Sequence, residues 1–186
     1  MTKLSENAYK FTSAYRETVN LSDGTPANLR LVIPADKPLL ERGMDNFSPE
    51  SRFRRFLFAK LKLTDADLRY LTEIDGVDHF AIGALNQAGN GMGVARFVRF
   101  GDDREVAEPA IAVLDVYQNR GLGHILFKRL MTAARERGIK RFRGSILASN
   151  KPMIHLLHSV AHRICFDYEG EVLEFDAQLD NCTERL

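Results

Sequence analysis

The chain predicts a mixed α/β fold, a mostly antiparallel central sheet of six to seven strands flanked by helices, and three observations carry that prediction. Residues 106–147 read as strand, glycine turn, helix and strand, a crossover unit whose two strands pair in parallel. Residues 78–116 hold three apolar runs separated by Asn86-Gln-Ala-Gly-Asn-Gly91 and Gly101-Asp-Asp-Arg104, as an antiparallel meander requires. Leu173, Phe175, Ala177 and Leu179 alternate with Glu174, Asp176 and Gln178, the period of a half-buried closing strand.

The elements follow in order. Residues 1–20 are polar with scattered aromatics and are expected as a loosely held arm, with residues 21–186 forming one domain. Leu29, Leu31 and Ile33 alternate with Asn28, Arg30 and Val32, a strand that stops before Pro34. Residues 36–47 and 48–58 read as helices, the second opened by Ser48 as N-cap and Pro49 at its first position. Thr64 starts a third helix that ends near Thr72. Strands follow at 78–86, 92–100 and 106–116. Pro109 withdraws one ladder donor from the last of these, which implies an edge or a bulge.

Leu122, Ile125, Leu126, Leu130, Ala133 and Ala134 then recur at helical spacing. Gly138 stands in the C′ position, with Arg135 and Arg137 in the last turn, where cations suit the helix dipole. A strand at 140–147 and a helix from Pro152 complete the order, the helix turning Met153, Leu156, Leu157, Val160 and Ala161 inward.

Composition excludes several function classes. A formal net charge of +1 gives no global field for nucleic acid or a membrane surface, and no apolar segment is long enough to span a bilayer. Two cysteines, Cys165 and Cys182, are expected as free thiols, and a cytoplasmic protein is the expectation. His155, His158 and His162 share one helix but lack a carboxylate at ligand spacing, so a solvated face and no metal are expected. The basic stretch Arg52, Arg54, Arg55, Lys60 and Lys62 is interleaved with Phe53, Phe56 and Leu57. That spacing marks a buried helix face with a charged outer side, and no nucleic-acid site.

The segment most suggestive of chemistry is Glu108 to Gly123, an apolar strand that enters the glycine turn Gln118-Asn119-Arg120-Gly121-Leu122-Gly123 and then a helix. A helix opening at such a turn aims unpaired N–H groups at one point and adds about half a positive charge there, which suits a diphosphate. Neither G-x-x-x-x-G-K-[ST] nor G-x-G-x-x-G is present, so ATP and dinucleotides are poor ligands. On spacing alone, a tight turn with no ligand stands equal to an anion site.

The loop resembles the Q/R-x-x-G-x-G/A pyrophosphate loop of the GNAT N-acetyltransferases. Ser48-Pro-Glu-Ser-Arg-Phe-Arg-Arg-Phe56, Asp78-His-Phe-Ala81, Gly93-Val-Ala-Arg-Phe-Val-Arg99, Ala107-Glu108 and Asn150-Lys-Pro-Met153 resemble, in the same order, bacterial protein lysine acetyltransferases of the Pat type. The resemblance covers residues 27–179 and implies a GNAT-like fold with acetyl-CoA as co-substrate. It implies cofactor contacts from Gln118, Asn119, Arg120, Gly121, Leu122, Gly123 and His124, from the backbone of Ile111, Ala112 and Val113, and from Asn150. Glu108 is implied as the base that deprotonates a lysine ε-amine of a protein substrate, whose pKa near 10.4 keeps it charged until a proton is removed. Apolar Ala107, Pro109, Ala110 and Ile111 around it suggest desolvation of the carboxylate.

Two other readings stay open, acetylation of a small amine and a silent acetyl-CoA-binding sensor. Small-molecule members place a tyrosine acid where this chain has Leu157, and Ala161-His162 replaces the usual Gly-Phe, leaving the helix exit open. The family sets the helix around Arg52 beside the acceptor, so its cations are expected to shape substrate choice. It also has a bulge near Pro109. His79 is expected as a buried histidine bonded to backbone rather than a second base. The acceptor and the oligomeric state are not legible in the sequence.

Overall fold

The computed structural model describes residues 9–56, 62–161 and 163–179. Its elements are β1 (Arg16–Asn20), β2 (Pro26–Leu31), α1 (Lys37–Asp45), α2 (Pro49–Phe56), α3 (Asp65–Thr72), β3 (His79–Leu85), β4 (Gly91–Arg99) and β5 (Val106–Val113), followed by α4 (Leu122–Glu136), β6 (Arg141–Leu147), α5 (Lys151–Val160), β7 (Ile164–Glu169) and β8 (Val172–Gln178). The strands form one eight-stranded sheet in the order β1-β2-β3-β4-β5-β6-β8-β7. Every neighbouring pair is antiparallel except β5 and β6, which run parallel as the crossover demands.

Local signals account for most boundaries. The Thr64 hydroxyl accepts from Asp67 N–H at 3.2 Å while the Asp67 carboxylate accepts from Thr64 N–H at 2.8 Å, a reciprocal cap on α3. Ser48 Oγ accepts from Ser51 N–H at 3.2 Å at the start of α2. Gly138, at φ 77°, ends α4 in the left-handed conformation expected of C′.

Several expectations are corrected. The sheet has eight strands because β1 and β7 add to those read from periodicity. Residues 16–20 of the expected arm form β1, and Phe11 and Tyr15 are buried. Arg137 is the reason the arm stays down: its guanidinium donates to the carbonyls of Phe11 (2.8 Å), Gly76 (2.6 Å) and Ala133 (2.9 Å) and lies over the rings of Tyr9 and Phe80. Burial holds its pKa below the usual arginine value. Phe53 is 46% exposed and does not mark a buried face. The stretch 57–61, with Lys60, lies outside the described residues, as do His162 and Cys182. Strand β5 ends at Val113, not 116, and gives way to a 3-10 turn at Asp115–Tyr117.

The bulge expected near Pro109 is elsewhere. Strands β4 and β5 pair without a shift from Arg99↔Ala107 through Phe97↔Pro109 to Gly93↔Val113, and the irregularity lies between Ala84 and Leu85 of β3. Pro109 instead marks where β5 leaves its other neighbour, since β5 and β6 pair only at Val106↔Arg141 and Ala107↔Phe142. Beyond Ala107 the β6-side edge of β5 has no strand partner, so a residue without an N–H costs no ladder bond there.

Cross-strand register places Phe80, Phe97 and Pro109, then Ile82, Ala95 and Ile111, on one face of the sheet, the face covered by α4. Phe11, Phe80, Phe97, Phe142 and Phe127 form a continuous chain of rings there with centroids 5.4–6.3 Å apart, each contact worth about 0.5–1.5 kcal/mol beyond its burial. Helices α1 and α2 lie on the opposite face against β4 and β5. The splay of β5 from β6 thus opens between two well-packed layers.

Candidate active site

The loop between β5 and α4 is shaped by two left-handed residues, Asn119 at φ 58° and Gly121 at φ 82°. Asparagine tolerates that region and glycine favours it. The first N–H of the region to find a helical carbonyl is that of Ile125, bonded to Gly121 at 3.1 Å, so the N–H groups of Leu122, Gly123 and His124 precede the ladder.

The rest of the molecule braces this loop. Gln118 Nε2 donates to the Val113 carbonyl and to Asp115 Oδ1, both at 3.0 Å. Arg120 turns away to pair with Asp23 at 2.8 Å, and its carbonyl accepts from Ser22 N–H at 3.1 Å, so the β1–β2 hairpin buttresses the turn. Hydrogen bonds from Thr25, with the charge of Arg120, hold the Asp23 carboxyl below its usual range. Asp115 accepts from Ser48 N–H at 2.7 Å and from the Ser51 hydroxyl, which docks the N-terminus of α2 beside the loop. Burial works against the Asp115 charge, but these hydrogen bonds outweigh it and keep its pKa low.

A cavity of about 400 Å³ opens in front of the loop. Of the residues singled out for cofactor contact, Ile111, Ala112, Val113, Gln118, Asn119, Gly121, Gly123, His124 and Asn150 all line it. Leu122 does not: its side chain is fully buried in the core, and only its main chain is available at the helix start. Arg120 does not either, being committed to Asp23.

Asn150 caps α5, its Oδ1 accepting from Met153 N–H at 3.3 Å, which leaves the amide NH2 for a ligand. The cavity walls that sequence reasoning missed are Phe47, Ser51 and Arg54 from the α1–α2 region and Pro152, Met153, His155, Leu156 and Ser159 from α5. His155 therefore faces this cavity instead of a purely solvated side. Among the described residues no group of three or more His, Cys, Asp or Glu could hold a metal, and no helix is long and apolar enough to cross a membrane.

The lining suits a polyanion on a thin arm. It carries Arg54, His124 and His155 and no carboxylate, although Arg54 also pairs with Glu50 at 2.5 Å. A Cβ added at Gly123 would meet only side-chain carbons of Ile111, Val113 and Leu156 at 3.9–4.0 Å, so the protein leaves that space clear without needing it for its own packing. Along β5 the edge freed from β6 presents backbone groups without a strand partner, the Val113 carbonyl among them being taken by Gln118.

Glu108 lies on that edge, three residues before Ile111 and so roughly 10 Å back along the strand. It is exposed. Its neighbours Ala107 and Pro109 are buried on the other face, as strand alternation requires, and the enclosure their sequence proximity suggested does not occur. The side chain rests over β6, where a Cβ added to Gly144 would meet Glu108 Cγ at 3.4 Å.

His79 and Val98 share its face in register across β3 and β4. The His79 ring approaches Arg96 Nη1 at 3.2 Å and packs on Tyr70, and Asp75 receives its backbone N–H. Burial, aided by the Arg96 charge, lowers the His79 pKa to about 4. Its ring is thus bonded to an arginine rather than to the backbone.

A splayed parallel pair inside an otherwise antiparallel sheet, with a helix opening on a glycine turn at the splay, frames the cavity, and the family model of the GNAT acetyltransferases matches residues 45–161. The chain belongs to the GNAT family. It is 39% identical over 126 residues to the acetyltransferase Pat of Mycolicibacterium smegmatis, a match covering 67% of this chain and 38% of that protein's length. The crystal structure of the GNAT domain of S. lividans PAT superposes with a TM-score of 0.83 at 27% identity, covering 90% of this chain and 99% of that one. The fold is also that of yncA from Salmonella typhimurium, solved with its cofactor acetyl-CoA, at a TM-score of 0.64 and 20% identity over 84% of this chain and 96% of that one.

Proposed function

We propose that the protein transfers an acetyl group from acetyl-CoA to a lysine ε-amine of a protein, by direct attack, with Glu108 as general base. The observation that carries this reading is the single open edge of β5, which runs from the Glu108 carboxylate to the cavity walls Ile111, Ala112 and Val113 and on to the unpaired N–H groups of α4. Identity of 39% to a Pat acetyltransferase supports the protein acceptor.

Bound acetyl-CoA would supply an activated thioester. The main chain of Gly121, Leu122, Gly123 and His124 would hold its phosphates, Asn150 its arm, and the β5 edge its carbonyl. Glu108 takes a proton from the substrate ammonium, directly or through one water, and the freed amine attacks the thioester carbon. A C–N bond forms and the C–S bond breaks, the nitrogen sheds its second proton to solvent, and the thiolate leaves to take a proton from solvent. Leu157 is fully buried, so the position where some relatives carry a tyrosine acid offers no proton here.

The test is thiol release with acetyl-CoA against protein substrates and a polyamine panel, repeated with Glu108→Gln, and mass spectrometry of lysates treated with the purified protein. Acetyl-lysine on proteins, lost in Glu108→Gln, is the expected result. Turnover confined to polyamines would move the acceptor to small amines, and binding without turnover on any amine would make the chain a sensor.

A further inference from the structure

The hydrogen bonds around His124 leave its ring with one nitrogen occupied and one bare. The Ser159 hydroxyl donates to the Leu156 carbonyl at 2.7 Å, so its only proton is spent. The 3.1 Å contact between Ser159 Oγ and His124 Nδ1 then requires Nδ1 to carry the proton. A neutral ring with Nδ1–H has an unprotonated Nε2, and among the described residues that nitrogen has no partner. The ring lines the cavity.

The charged neighbour acting on this ring is Lys128, one turn along α4, and the other ionisable side chains lining the same cavity are basic, His155 from α5 and Arg54 from α2, the last in part offset by Glu50. The loop contributes neutral Gln118 and Asn119 plus an Arg120 already paired, and β5 contributes nothing titratable at 111–113. Desolvation, with the nearby Lys128 charge, lowers the His124 pKa in the free protein. A phosphate oxygen meeting the bare Nε2 would be lone pair against lone pair, whereas a protonated Nε2 is a charge-assisted donor.

We propose that His124 is a proton-linked phosphate contact: when a CoA phosphate enters, Nε2 takes one proton from solvent and donates it to a phosphate oxygen, while Ser159 holds the ring by Nδ1. The inference rests on the acetyl-CoA reading given above. It adds a side chain to a phosphate site that otherwise works through main-chain amides, and it makes carrier affinity fall as pH rises.

The test is calorimetry of acetyl-CoA binding to the whole protein near pH 7.5 in buffers of different ionisation enthalpy, where an imidazole is ordinarily uncharged. Expected is uptake approaching one proton per carrier, with Kd rising by up to about tenfold per pH unit between the free-state and bound-state pKa values of the ring and levelling off above the latter. His124→Gln should bind without the uptake, and His158→Gln, outside the cavity, should match wild type. Ser159→Ala releases the ring to its Nε2–H tautomer, so uptake should drop while binding persists. Uptake retained with 3′-dephospho-acetyl-CoA assigns the contact to the pyrophosphate, and uptake lost with it assigns the contact to the 3′-phosphate. Binding with no uptake, or uptake that survives His124→Gln, overturns the proposal. No binding at all by the folded wild type overturns the coenzyme reading beneath it, a distinguishable failure.

Discussion

The two ends of the open β5 edge are built in opposite ways. At the α4 end, the loop is held by Gln118, Asp115, Ser22 and the Asp23–Arg120 pair, so its amides keep their direction without a ligand. At the other end, Glu108 is exposed, and strand register and the absence of a side chain at Gly144 are what position it. Under the proposed function, a carrier common to every turnover is met by a preformed surface, whereas a base serving a macromolecular acceptor has to remain open to it.

Damage at the two ends should therefore separate chemistry from architecture. Glu108→Gln should cut kcat by about 10²–10⁴-fold, leaving Kd for acetyl-CoA and the melting temperature close to wild type. Parallel losses of binding would mean the carboxylate is structural. Gly121→Val should do the reverse. A branched residue at φ 82° costs about 1–2 kcal/mol, and a displaced loop should raise Kd at least about tenfold, as titration calorimetry on folded protein would show.

A pH dependence of stability belongs to the Glu108 face. His79 has a folded pKa of about 4 against an unfolded value near 6.5, so the unfolded chain binds the extra proton between them. Stability should therefore be complete above about pH 6.5 and be lost as pH falls through that window. After allowance for the half-exposed ring, the loss is about 1–2 kcal/mol, measurable by urea unfolding. His79→Asn should flatten that part of the profile.

Smaller still, Asp115→Ala removes the acceptor at the start of α2 and should cost about 1 kcal/mol, with α2 amides exchanging faster. Smallest of all, Gly123→Ala should raise stability of the free protein by up to about 1 kcal/mol, because the added Cβ meets nothing closer than 3.9 Å. Destabilisation there would show that the helix start is less open than its geometry implies.

What residues within a few positions of one another decide was readable directly. The caps at Ser48 and Thr64, the left-handed ends at Gly121 and Gly138, the alternation of 173–179 and the strand–turn–helix at 106–136 each have a local cause, and a loop whose chemistry lies in its own amides is legible for the same reason.

Tertiary structure alone decided the rest. The burial of Phe11 and the docking of the arm depend on Arg137, 126 positions away in the chain from its Phe11 partner. The loop's brace joins Asp23 to Arg120 across 97 positions, and β7 exists because β8 supplies its partner. Apolar neighbours in sequence suggested a shielded Glu108, but a strand sends neighbours to opposite faces, and which face is covered depends on helices that pack from elsewhere. Exposure, bracing and the proton held on His124 are properties of surfaces brought together, and no run of adjacent residues encodes them.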